Sequence, residues 1–167
     1  MELLDIGHWR NFLLAFIRLF VAIDIIGVLP LFIALTQGMT EERRARVITQ
    51  SAITALSVGL GFLFVGKFIF SLLGIEVYDF QVAGGLILLV FSIHDLLFGH
   101  RAQVPSTSTV GIVPLGIPLL VGPAVLTTIL ICVDVYGYLP TITSLLLNLL
   151  LVWVIFRRSV EVNNFMG

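Results

Sequence analysis

The chain has 167 residues and a net charge of −1; 59% of them are hydrophobic and 11% charged, and the mean hydropathy is +1.13. Counting its 15 glycines, the apolar share is about 68%, against ~45–50% in soluble domains. This excludes a soluble globular domain, a disordered chain and, with no basic stripe to meet a phosphate backbone, a nucleic-acid binder.

An integral membrane protein remains. A helix that crosses a bilayer core roughly 30 Å thick needs ~20 mostly apolar residues. The sequence holds five such runs. They are continuous, whereas strands of a transmembrane barrel alternate over ~10 residues. A helix also satisfies its own backbone groups in lipid. The expected fold class is therefore an all-α integral membrane protein, one membrane domain over residues 1–167.

The first span runs from about Phe12 to Leu35. It is too long for the apolar core of a signal peptide and no small-residue cleavage site follows it. Asp24, Gly27 and Pro30 lie near its middle. A carboxylate at that depth is a functional candidate, and Gly with Pro loosens the helix. The span reads as a discontinuous helix whose second half restarts near Asp24. Asp24 can cap that half-helix, serve function, or do both.

The second span covers about Ile48 to Leu73. Thr40-Glu41-Glu42-Arg43 has the cap and acidic first turn of a helix that starts before the bilayer. Arg18 in the first span and Lys67 in the second lie near the outer face. Lys67 either snorkels outward or pairs with an acid.

After the short Gly74-Ile75-Glu76 connection, the third span covers about Phe80 to Leu97. Ala83-Gly84-Gly85 permits close helix approach. Asp95 pairs with His94, lines a path, or sits at the interface.

The fourth span, about Gly111 to Val133, follows a polar stretch from His100 to Thr109. Pro114, Gly116, Pro118, Gly122 and Pro123 fall inside it, followed by Thr127 and Thr128. It is either broken where the freed backbone faces protein or a wet cavity, or a Pro-kinked helix with hydroxyls bonded back to its carbonyls. Cys132 is single, so no intrachain disulfide exists. Asp134-Val135-Tyr136-Gly137 leads into the fifth span, about Tyr138 to Phe156.

Arg43, Arg44, Arg46, Arg101, Arg157 and Arg158 fall on one side of this arrangement and only Arg10 on the other. By the positive-inside rule the N-terminus is outside and the end of span five is cytoplasmic. Spans one and four are an odd number of crossings apart, so they run in opposite directions. Gly27-Val28-Leu29-Pro30-Leu31 is also similar to Gly111-Ile112-Val113-Pro114-Leu115. Broken helices at matching places in oppositely oriented halves point to an inverted-repeat transporter.

These motifs resemble those of the MarC family of integral membrane proteins, which includes SnatA-like transporters of small neutral amino acids. Asp24-Ile25-Ile26-Gly27-Val28-Leu29-Pro30 is similar to the family's Asp-Pro-Ile-Gly-x-x-Pro, with Ile25 in place of the Pro. Leu35-Thr36 and Glu41-Glu42-Arg43-Arg44 resemble its first loop. Phe80-Gln81-Val82-Ala83-Gly84-Gly85-Leu86 resembles its third span, with Asp95 as the later acid. Pro114-Leu115, Pro118-Leu119, Gly122-Pro123 and Thr127-Thr128 follow its fourth. The family usually has a sixth span, so the resemblance implies three plus two of an expected three plus three, the chain being naturally short or truncated.

The resemblance implies a multi-pass inner-membrane secondary transporter of glycine- or alanine-like amino acids, coupled to protons. The half-helix N-termini of spans one and four would present backbone N–H groups to a substrate carboxylate. The implied substrate set is Asp24, Gly27, Pro30, Gly84, Gly85, Gly122, Pro123, Thr127 and Thr128, with Asp24 and Asp95 as proton-coupling candidates. No cofactor or metal is implied. The partners are the lipid bilayer, the amino acid, protons and, left open, further copies of the chain. A non-transporting scaffold or inactive truncated homologue is the alternative. An enzyme is not expected, since neither H-E-x-x-H nor Gly-x-Ser-x-Gly occurs.

Overall fold

A computed structural model describes residues 2–98 and 115–166, all of whose regular elements are helical. In chain order these are α1 (Glu2–Ile23), α2 (Ile25–Thr36), α3 (Glu41–Leu73), α4 (Val77–Phe98), an irregular turn (Leu115–Leu120), α5 (Pro123–Tyr136) and α6 (Tyr138–Met166). Within the irregular turn Ile117 is extended, with φ −135° and ψ 129°.

Local chemistry accounts for the boundaries. The Thr40 hydroxyl accepts from the Arg43 N–H at 3.4 Å and caps α3, whose first turn holds Glu41 and Glu42, the acids that a helix N-terminus favours. α3 stops at Gly74, which has φ 65° and whose N–H reaches the Phe70 and Ser71 carbonyls. That left-handed conformation carries no Cβ penalty only for glycine. Gly137 separates α5 from α6 in a different conformation, φ 89° and ψ 173°, a positive-φ extended geometry that is essentially glycine's alone.

α5 is the central helix: α1, α3, α4 and α6 all pack on it, and α6 also packs on α1, α2 and α3. One buried apolar cluster runs through the bundle. It includes Leu19 and Ile23 of α1, Val28 and Phe32 of α2, Ala55 and Leu63 of α3, Ile129 of α5, and Leu149 and Phe156 of α6. The Phe32 and Phe156 rings stack with centroids 4.2 Å apart, just under the usual range of about 4.5–7 Å. The outer faces are apolar as well, with Phe64, Phe68, Leu72, Val82, Leu86 and Leu150 all exposed. Lipid is the solvent that suits such a surface. In it, packing and hydrogen bonds hold helices together more than apolar burial does.

Among the described residues two helices, α3 and α6 over Tyr138–Ser159, are long and apolar enough to cross a bilayer alone. Gly7–Ile23 with Ile25–Thr36, bent by 41°, makes a third if counted as one broken span. α4 covers the third predicted span. α5 has 14 residues, so it rises about 21 Å and is too short to cross unaided. The start of the fourth predicted span, Gly111 to Pro114, and the connection carrying Arg101 lie outside the described residues.

At three places the helices run past the expected spans. α1 begins at Glu2, well before Phe12, and α6 runs on to Met166, past Phe156. Asp134-Val135-Tyr136 is the last turn of α5, so the connection to α6 is Gly137 alone. Hydropathy marks where apolar side chains end. The backbone hydrogen-bond ladder continues into polar residues until a cap or a glycine stops it.

Candidate functional site

The first helix break rests on one residue. Asp24 has φ 48° and ψ 56°, the only non-glycine residue at positive φ among those described. Its N–H still donates to the Phe20 carbonyl at 3.3 Å, so it closes α1. Its carbonyl accepts from the Val28 N–H at 3.0 Å, and its Oδ1 accepts from the Gly27 N–H at 3.2 Å, so it also opens α2. Aspartate is among the few residue types that tolerate the left-handed region. The break therefore forms with Ile25, not a proline, as the first residue of α2. Pro30 sits inside α2 without ending it.

Asp24, Gly27 and Pro30 are all exposed on the bundle. A Cβ on Gly27 would run into the Asp24 carboxylate, so the glycine makes room for the cap. The capping reading of Asp24 is thus realised in the geometry, and the carboxylate's Oδ2 stays clear of the cap bond.

The second break spans the irregular turn and Gly122-Pro123. The Val121 N–H reaches back to the Gly116 carbonyl at 3.2 Å, and Gly122 is extended before α5 begins. Pro123 occupies the first helical position, where its missing N–H costs nothing. No side chain caps α5. This is a broken segment, not a kinked continuous helix. The hydroxyl back-bonding expected of a kinked helix is present all the same. Thr127 donates to the Pro123 and Ala124 carbonyls at 3.0 and 3.1 Å, and Thr128 to Ala124 at 2.7 Å.

The two breaks abut one core. Ile23, Ile25 and Val28 around the first, and Leu120, Val121 and Val125 around the second, belong to the same buried cluster. α2 packs directly on the irregular turn. Gly84 of α4 is buried against Pro123, whose ring a Cβ on Gly84 would strike. α4 thus closes over the start of α5. Gly85 takes no part: it is exposed, with nothing within 4 Å of an added Cβ. The backbone of Asp95 belongs to α4, but its side chain, like that of His94, lies outside the described set.

Two polar features escaped the sequence reading in whole or part. Lys67 of α3 forms an ion pair with Asp134 of α5, which settles the choice between snorkelling and pairing. The second feature is a stripe on α6. Thr141, Ser144 and Asn148 are fully buried. Ser144 Oγ donates to the Phe12 carbonyl at 3.1 Å, and Asn148 Nδ2 to the Phe16 carbonyl at 3.2 Å. Their helical spacing inside an apolar run is the signal that marks such a stripe.

Outward apolar faces, a bent helix pair and an interrupted helix on a shared core define an all-helical integral membrane protein. The chain belongs to the MarC family: the model described as MarC family integral membrane protein matches residues 9–167. It is similar to the UPF0056 membrane protein MJ0972 of Methanocaldococcus jannaschii, 33% identical over 74% of this chain and 58% of that protein. A UPF0056 membrane protein of Archaeoglobus fulgidus is 28% identical over 93% of this chain and 78% of the relative. The UPF0056 inner membrane protein YhgN of Escherichia coli (strain K12) is 31% identical over 83% of this chain and 71% of its own length. The chain thus spans under two thirds of the first relative and more of the other two. No solved structure matches.

Proposed function

We propose that the chain acts in transport, not catalysis, as a secondary transporter of small neutral amino acids of the glycine and alanine type, coupled to protons. In this reading it lies in the inner membrane with its N-terminus outside and its C-terminal helix ending in the cytoplasm, as the arginine distribution suggests. One observation carries the proposal: the Asp24 junction. An exposed carboxylate sits where one half-helix ends and another begins, and a second interrupted segment lies on the same core. Discontinuous helices of this kind supply ion and substrate sites in transporters. Asp24 would take the substrate ammonium or the coupling proton, and the uncapped start of α5 would face the substrate carboxylate.

The test is uptake of labelled glycine into proteoliposomes under an imposed proton gradient. The wild-type chain is expected to accumulate glycine, and Asp24→Asn to lose about tenfold or more of that rate, the scale of one charge-assisted hydrogen bond. Near wild-type uptake by Asp24→Asn removes the carboxylate from the mechanism. No uptake by the wild type removes transport.

A non-transporting scaffold is the second reading. It is favoured by the hydroxyls of Thr127 and Thr128 and by the Asp24 carboxylate, which all bond within their own backbone. It predicts no amino-acid-dependent rise in melting temperature, whereas a saturable rise with one small amino acid would count against it.

A further inference from the structure

The end of the bundle away from the Asp24 junction holds a cavity of about 80 Å³ with a mixed polar and apolar lining. It lies between the C-terminus of α2, the start of α3 and the α6 residue Ser159. Phe32, Thr36, Gln37, Gly38, Arg44 and Ser159 are among its walls. Arg44 is held in place by its Nη2, which donates to the Thr36 carbonyl at 3.2 Å. Its Nε is buried without a hydrogen-bond partner among the described residues. A guanidinium offers its donors in a planar fork, so the unused Nε–H is one prong of a fork already fixed in position. The Gly38 N–H, in a turn with φ 76°, also makes no hydrogen bond among the described residues.

The described side chains around it are mainly basic. Among the described side chains at this end, Arg43, Arg44, Arg46, Arg157 and Arg158 meet only Glu41 and Glu42, and neither acid lies within ion-pair distance of Arg44. The Ser159 and Thr36 hydroxyl protons are bonded to the Phe156 and Phe32 carbonyls, both at 2.8 Å. The donors left for an occupant are therefore cationic or amide N–H groups. A water molecule would satisfy the Nε–H but leave the excess positive charge in place. An oxyanion satisfies both, and Arg forks bind phosphate oxygens well. Phosphate is also the oxyanion that a membrane surface presents in quantity.

We infer that this cavity is a phosphate-binding site, with Arg44 Nε as the anchoring donor and the Gly38 N–H and the Gln37 amide completing it. The phosphate comes from an anionic lipid headgroup or from solution. The site is separate from the helix breaks and does not depend on what the chain transports.

The test uses the full chain in dodecyl maltoside micelles, which hold no phosphate, and reads melting temperature. Inorganic phosphate is titrated in one arm against chloride at equal ionic strength, and phosphatidylglycerol is added to the micelles in the other. A saturable rise is expected in at least one arm, and the responding arm identifies the source. Arg44→Gln should weaken the apparent affinity about tenfold or more, while exposed Arg46→Gln stays within about twofold. Ser159→Leu fills the cavity and leaves the Arg44–Thr36 bond intact, so it should abolish the response even if Arg44→Gln does not fold. No rise in either arm, or a full rise in any folded variant of Arg44 or Ser159, overturns the site and leaves a water-filled cavity.

Discussion

At the scale of single residues, Asp24 performs two tasks that substitutions can separate. It adopts a left-handed backbone and it accepts the Gly27 N–H. Asn tolerates the same conformation and keeps an oxygen at Oδ1, so Asp24→Asn should leave stability nearly unchanged. Gly relieves the backbone and loses the cap, at a cost of a few tenths of a kcal/mol. Ala loses the cap, worth about 1 kcal/mol, and meets the left-handed penalty of about 1–2 kcal/mol. Denaturant unfolding in detergent should rank the variants Asn, Gly, Ala; Ala as stable as Asn would contradict the double role. It follows that Asp24→Asn tests the charge without disturbing the fold. The adjacent glycines separate just as cleanly. Gly84→Leu should cost about 1–3 kcal/mol through overpacking against Pro123, while Gly85→Leu should stay within about 0.5 kcal/mol. Equal effects in a thermal melt would mean that α4 does not close on α5 as described. The sequence marks both glycines as small. It does not say which one faces α5, because that depends on the rotation of α4 in the bundle.

Among the elements, the first break was legible from Asp24 as the cap of a restarting half-helix. The second was legible only as one of two readings of Pro114 to Pro123, a break or a kink. The way they are built was not legible. The structure adds that α1 ends in the same residue that opens α2, and that Ile25 serves without the ring of a proline. The Lys67–Asp134 pair was half legible: the sequence offered the lysine a partner without naming it, because the acid lies on a helix sixty-odd residues on. The two side chains are 53% and 51% exposed. In water such a pair would be worth less than ~1 kcal/mol. In lipid an unpaired charge costs about 2.5–3.5 kcal/mol at the bilayer centre and less toward the interface. A double-mutant cycle with Lys67→Leu and Asp134→Leu should therefore show the double variant more stable than the sum of the singles predicts, by about 1 kcal/mol or more. Strict additivity of the melting shifts would show that the pair contributes nothing.

For the molecule as a whole, composition and hydropathy were enough to assign the class. The first three predicted spans and the fifth each coincide with helix, and the motif order led to the family. What remained hidden was the packing order. Nothing in a run of apolar residues tells that α5 sits at the centre, or that the polar stripe of α6 faces α1. Asn148→Leu removes the donor to the Phe16 carbonyl and should destabilise the bundle by about 1 kcal/mol. Unfolding followed by tryptophan fluorescence would measure it, and an unchanged midpoint would mean that the carbonyl finds another donor. The same stripe governs timing. The hydroxyl of Ser144 and the amide of Asn148 clasp carbonyls 132 residues earlier in the chain. At roughly 5–20 residues per second of synthesis, α1 waits on the order of ten seconds in the bilayer before its partner is made. During that interval the apolar flank of α1 must be shielded by lipid or by the insertion machinery. A ribosome stalled short of Ser144 would leave the helix inserted but unassembled.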